Sequence, residues 1–282
     1  MNTRSTASTA SSGTSIEKER FPGIESRRLH PRHEDAPVTG MGRTDNGLIE
    51  PCWVADQPLR VAAIIVAHNE SMTIGRVVET VCQSGYVDEI VVVDNASIDL
   101  TAHEARRCGA HVVSEPKLGK SRAIAIGISS TTSDVLLFLD ADLLGLTTSH
   151  LTQILVPILS GTADMSCGLF DRGPFVNQLC SRYLPLLTGQ RAVRREMCVT
   201  LDWQRITGYE FEAVINHILV RENRRIWRSV CIGLSHRLKE EKWPFPIGIW
   251  QRAVMCFHVF VAYLLIGTGH LAYYVRLPLG SR

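Results

Sequence analysis

The chain has 282 residues, 45% hydrophobic and 21% charged, with 30 Lys and Arg against 28 Asp and Glu for a formal net charge of +2. These proportions exclude a wholly disordered chain, and the near balance of charge excludes a global field that would draw in nucleic acid, so any phosphate binding must be local. The eight cysteines form no CxxC pair and no metal-finger spacing, which fits a reducing, cytoplasmic setting.

Residues 1–58 hold no hydrophobic period. They open on the Ser/Thr-rich run MNTRSTASTASSGTS and read as a disordered tail, with no apolar run of a secretory leader. A domain over residues 59–250 begins where short Val/Ile-rich runs alternate with segments of helical period. RVAAIIVAHNE precedes SMTIGRVVETVCQSG, and DEIVVVDNAS precedes IDLTAHEARRCG. AHVVSE then precedes GKSRAIAIGISS, and DVLLFLDAD precedes TTSHLTQILVPILSG. Continuous apolar runs imply strands covered on both faces, and their alternation with helices implies parallel βαβ units. The expected fold class is α/β: a Rossmann-like αβα sandwich with a mostly parallel sheet.

Ligands of such sheets bind at the carboxyl ends of the strands, and here every run ends in polar residues. They are His68, Asn69 and Glu70; Asp94 and Asn95; Ser114 and Glu115; and Asp140, Ala141 and Asp142. Helix capping accounts for many Asp and Asn at such places. It does not account for Asp-Ala-Asp, which offers a divalent cation two hard oxygen ligands, or one ligand and a hydrogen bond to a sugar hydroxyl.

Over roughly residues 60–240 these elements resemble the family 2 glycosyltransferases of GT-A fold, including the glucosyl-3-phosphoglycerate synthases. The resemblance implies that Val66, Ala67, His68, Asn69 and Glu70, Val66 standing where relatives carry proline, cradle the base and ribose of a nucleotide sugar, with Asp94 accepting from the base. Asn95 and Ala96 depart from the Asp and Gly usual after that Asp, whereas Ser97, Asp99 and Thr101 keep the pattern. Lys120, at the start of a helix, suits the nucleotide or its phosphates. Asp140 and Ala141 would lie near the ribose or donor sugar, and Asp142 with His236 would bind Mg2+ or Mn2+. Thr188, Gly189, Gln190 and Arg191 resemble a loop facing the donor sugar, where an arginine with a hydroxyl and a glycine amide makes an anion clamp for the acceptor. Gly208-Tyr209-Glu210-Phe211-Glu212 resembles a further element of these relatives, with Glu210 replacing a glycine; Glu212 or Asp171 would be the base if the reaction inverts. The implied reaction is a metal-dependent hexosyl transfer from a UDP- or GDP-sugar, with Asp142, Glu212 and Arg191 in catalytic places and a small phosphorylated or lipid-linked acceptor.

From Ala253 to Val275 the chain carries no Asp, Glu, Lys or Arg, and Arg252 and Arg276 flank the run. Residues 251–282 therefore read as a hydrophobic helix long enough to span a bilayer, holding the domain at the cytoplasmic face, or else packed within a homodimer. Two rival functions stand beside the transferase. One is a nucleotidyltransferase, although that class opens with a Gly-rich loop where this chain has AHNESMT. The other is a catalytically inactive, membrane-anchored binding module.

Overall fold

The computed structural model describes residues 41–43, 49–51, 58–171, 188–206 and 210–236. Within the stretch read as a tail, β1 (Met41–Arg43) and β2 (Ile49–Pro51) form an antiparallel pair. The remainder of residues 1–57 lies outside the described residues, as does all of the segment from 253 to 275. No helix among the described residues is long and apolar enough to cross a membrane.

The expected alternation is present from Val61 onward: β3 (Val61–Ala67), α1 (Ile74–Gln83), β4 (Glu89–Asn95), α2 (Thr101–Arg107), β5 (His111–Glu115), α3 (Lys120–Ser129) and β6 (Val135–Asp140). There follow β7 (Leu143–Leu144), α4 (Thr148–Leu159), β8 (Met165–Phe170), β9 (Arg191–Arg194), α5 (Arg195–Val199), α6 (Phe211–Arg221), β10 (Ile226–Cys231) and β11 (Ser235–His236). Seven strands make one sheet in the order β10-β8-β9-β6-β3-β4-β5. Only β9 runs against its neighbours, antiparallel to both β6 and β8.

β3 shows why a continuous apolar run is needed at the centre of such a sheet. Val61, Ala63, Ile65 and Ala67 pack with Ile74, Val77 and Val78 of α1 and with Leu151, Ile154 and Leu155 of α4. Ala62 and Ile64 pack on the opposite face with Ile124 and Ile128 of α3 and Val214 and Ile218 of α6. Each fully buried aliphatic side chain contributes about 1.5–3 kcal/mol, so both faces must be apolar for the strand to be held. β3 pairs with β4 on one side and β6 on the other, so the chain order reverses at β3. The crevice at the carboxyl ends of β3 and β6 is therefore the topological switch point, where α/β sheets bind ligands.

Candidate active site

The loops after β3, β4 and β5 are tied to one another by side chains. The His68 ring donates from Nδ1 to the Asn95 carbonyl at 2.8 Å, which leaves Nε2 as the acceptor for the Asn69 amide at 3.2 Å. Asn69 adopts a left-handed backbone, φ 56°, a conformation asparagine tolerates. Its amide N–H donates to Ser97 Oγ at 3.0 Å and its Oδ1 accepts from the Ile98 N–H at 2.9 Å. The Glu70 N–H donates to Thr101 Oγ1 at 2.7 Å, and the Glu70 carbonyl accepts the first amides of α1. Burial opposes a charge on Asp99, but hydrogen bonds from Thr101 and Ser71 hold its carboxyl below the usual carboxylate range. Asp94 differs from all of these: its Oδ1 is buried and has no hydrogen-bond partner among the described residues.

Beyond the switch point the polar groups face one another. Asp140, the last residue of β6, accepts from Lys120 Nζ at 3.2 Å and from Gln190 Nε2 at 2.7 Å. Lys120 also reaches Glu212 Oε1, at 3.1 Å, in the first turn of α6. Burial works against both charges, yet the Lys120 ammonium holds the Asp140 carboxyl below its ordinary value, and the two carboxylates hold Lys120 above its own. Gly189 lies so close over Asp140 that a Cβ there would overlap the carboxylate, which is a reason for glycine at that place in the loop. Lys120, Asp140, Gly189, Arg191, Phe211 and Glu212 line a pocket between the sheet and α6.

A short ladder sets the backbone of His236 near the end of the Asp-Ala-Asp step. β11 pairs with β7 so that His236 lies opposite Leu143, the residue that follows Asp142. Two features place this ladder. Gly145 has a φ of 73° and leaves room for the Gly233 carbonyl. The His150 ring accepts the Thr147 N–H at Nδ1 and so donates from Nε2 to the Ile232 carbonyl at 3.0 Å. A carboxylate and an imidazole are a donor set that suits Mg2+ or Mn2+, although among the described residues no group of three or more His, Cys, Asp or Glu side chains is placed to hold an ion.

Four of the residues read as facing the acceptor are placed differently from one another. Arg191 is not on the loop but begins β9, fully buried, where its guanidinium donates to the Thr188 carbonyl at 2.6 and 3.1 Å and to Asn216 Oδ1 at 3.1 Å. It also lies over the Phe211 ring, 5.8 Å from its centre. A buried cation needs partners within the protein, and here those partners fix the Thr188–Gln190 turn expected with Arg191 to form an anion clamp. Thr188 is buried, with its hydroxyl 2.7 Å from both the Gly168 carbonyl and Gln190 Oε1, and Gln190 is buried against Asp140. Gly189 alone is half-exposed. Asp171 is exposed at the end of β8, and Gly208 and Tyr209 lie outside the described residues. Asn216 was missed by sequence reasoning; its place four residues after Glu212 on one face of α6 is the signal that could have found it.

Comparisons with known proteins agree with this architecture. The sequence model of the family described as "Glycosyl transferase family 2" matches residues 62–215. Glucosyl-3-phosphoglycerate synthase of Mycolicibacterium smegmatis is 34% identical over 133 residues, 42% of this chain and 44% of that protein. The 4,4'-diaponeurosporenoate glycosyltransferase of Staphylococcus haemolyticus is 36% identical over 89 residues, 29% of this chain and 24% of that protein. The chain thus spans less than half the length of these curated relatives. Among solved structures, glucosyl-3-phosphoglycerate synthase from Mycobacterium tuberculosis in complex with Mg2+ and uridine diphosphate superposes with a TM-score of 0.62 at 23% identity, covering 73% of this chain and 78% of that one. The complex of the same enzyme with Mn2+, UDP-glucose and phosphoglyceric acid gives a TM-score of 0.62 at 24% identity, covering 75% and 80%. The fold is GT-A.

Proposed function

The chain belongs to glycosyl transferase family 2, and on that premise we propose that it transfers a hexose from a nucleotide diphosphate sugar, UDP- or GDP-linked, to a small phosphorylated acceptor. The observation that carries the proposal is the β7–β11 ladder, which brings His236 beside the Asp-Ala-Asp strand end at the switch point. Asp142 and His236 would hold Mg2+ or Mn2+, which when bound neutralises charge on the departing diphosphate.

The protein's own groups supply the rest. Asp94 Oδ1, buried and without a partner among the described residues, accepts a ring N–H of the base. Uracil and guanine present such a donor beside their carbonyls; cytosine and adenine present a ring nitrogen acceptor there, and Asp94 rejects them. Lys120 supplies positive charge to the donor phosphates, and Asp140 and Glu212, held around it, accept from sugar hydroxyls. Glu212, held against Lys120 at 3.1 Å, serves here to orient the sugar.

The phosphorylated acceptor is supported by the likeness to the glucosyl-3-phosphoglycerate synthases. A lipid-linked acceptor is the other class, since the 4,4'-diaponeurosporenoate glycosyltransferase is also a relative. The test is a thermal-shift series with UDP, GDP, CDP and ADP, with and without Mn2+, followed by transfer assays from the stabilising donor sugar to 3-phosphoglycerate and to an apolar carboxylic acid. Stabilisation by UDP or GDP that depends on Mn2+, with transfer to 3-phosphoglycerate, is the expected result. Equal shifts with all four nucleotides, or none, would overturn it.

A further inference from the structure

We infer that Asn95, which departs from the pattern this sequence resembles, is a positioning residue for the donor phosphates and does not read the base. This rests on the nucleotide-sugar reading above, and it assigns a task to a departure from the family pattern.

Asn95 is the last residue of β4 and only 2% exposed. Its side-chain amide is fully engaged. Oδ1 accepts from the Gly119 N–H at 2.8 Å, and Nδ2 donates to the Lys117 carbonyl at 2.9 Å and, more weakly, to the Glu115 carbonyl at 3.4 Å. No donor is left over for a base. What the amide holds instead is the loop from Glu115 to Gly119, which ends where α3 begins at Lys120. Glu115 closes the same loop from the other side, its carboxylate accepting from the Lys117 N–H at 2.7 Å and from Arg122 Nε at 2.8 Å. The Arg122 guanidinium and that amide hold the Glu115 carboxyl below the usual range. The amino end of α3 is thereby fixed at two points, and Lys120 extends from it to Asp140 and Glu212.

An aspartate could not do this. A carboxylate accepts only, so it could keep the Gly119 bond but would set negative oxygen against the Lys117 carbonyl. The loop would have to move away, taking Lys120 with it. The Asn95 carbonyl, by contrast, serves the base side of the site, because it accepts from His68. Backbone and side chain of one residue thus support two neighbouring subsites, and only the side chain changes on substitution.

The full chain carrying Asn95→Asp is compared with Asn95→Ala and with the unaltered chain in three measurements: titration with UDP and Mn2+, competition by uridine, and hydrogen exchange over residues 116–124 without ligand. A buried polar group left against a like partner weakens binding by about 10- to 100-fold. The UDP affinity of Asn95→Asp should fall by that factor, and uridine affinity should stay within about twofold. Exchange should quicken over 116–124 and not in β3 or β6. Asn95→Ala, which removes the bonds without adding repulsion, should fall between. A loss for uridine as large as for UDP would make Asn95 a base contact or a general support of the fold and overturn the inference, as would unchanged exchange over 116–124. Should the unaltered chain fail to bind UDP, the nucleotide-sugar reading fails; exchange over 116–124 then decides by itself whether Asn95 sets the start of α3.

Discussion

Around the loops after β3, β4 and β5, side chains bond chiefly to backbone: His68 to the Asn95 carbonyl, Asn69 to the Ile98 amide, Asn95 to Gly119 and Lys117. Around β6, β9 and α6 they bond chiefly to each other: Lys120 to Asp140 and Glu212, Gln190 to Asp140, Arg191 to Asn216. The first region shapes a surface and, among the described residues, keeps Asp94 Oδ1 buried without a partner. The second is a charged cluster whose members can exchange their partners for sugar and phosphate. A polar residue at a strand end is therefore evidence of a site, but whether it touches the ligand depends on which of these two regions holds it.

The largest effect that would separate the regions is expected at Asp142. Asp142→Ala removes a carboxylate from the pair set beside β7 and β11, and transfer should fall by at least about 1,000-fold with little change in melting temperature. Calorimetry should show that the Mn2+ dependence of UDP binding is lost as well. A variant that keeps Mn2+-stimulated transfer would return Asp142 to the group of shaping residues.

How far this division was legible beforehand differs between the regions. The βαβ order, the strand ends and the Asp-Ala-Asp step follow from local patterns, because buried parallel strands need continuous apolar runs. The antiparallel β9 did not, since Arg-Ala-Val-Arg at its four positions lacks both a continuous run and an alternation of apolar residues. A charged side chain read in isolation belongs in water, whereas in the fold the Thr188 carbonyl, Asn216 and the Phe211 ring are among the partners that let Arg191 be buried. The Lys120–Glu212 contact joins α3 to α6 on one face of the sheet, a pairing no local spacing encodes. Asn95 and Ala96 were visible as departures, but their meaning lay in loop contacts and backbone angle.

A second effect tests the charged cluster. Lys120→Met would leave Glu212, buried, and Asp140, part-buried, without their cation, at a cost of about 1–3 kcal/mol. The pH dependence gives the sign. Asp140 is held below its unfolded value, so the stability it brings is present above about pH 4 and lost as pH falls through the lower folded value. Lys120 is held above its unfolded value, so its contribution is present below about pH 10.4 and lost as pH rises through the higher folded value. The unaltered chain should thus hold this contribution throughout the neutral range. In Lys120→Met, burial raises the Asp140 carboxyl instead, and the deficit in melting temperature should widen as pH rises from about 4 to 7. A deficit that does not change with pH would mean that Lys120 contributes packing and not charge.

The smallest effect lies in the shaping region, at Ala96. Its φ of 59° puts an L-residue with a Cβ in the left-handed region, where the Cβ meets the following carbonyl at a cost of about 1–2 kcal/mol. Asn69, close by at φ 56°, takes the same conformation with a side chain suited to it; alanine has no such compensation. Ala96→Gly should relieve the strain, while the greater freedom of glycine in the unfolded chain takes back about 0.4–1 kcal/mol. The net gain should be about 0.5 kcal/mol, a rise of about 1–2 °C in melting temperature. Because Ala96 separates Asn95 from Ser97, whose Oγ accepts the Asn69 amide, UDP affinity should hold or improve slightly. A fall in both melting temperature and affinity would mean that the Ala96 methyl group packs in the loop by more than its strain costs, and that the surface around Asp94 is shaped by apolar contact as well as by hydrogen bonds.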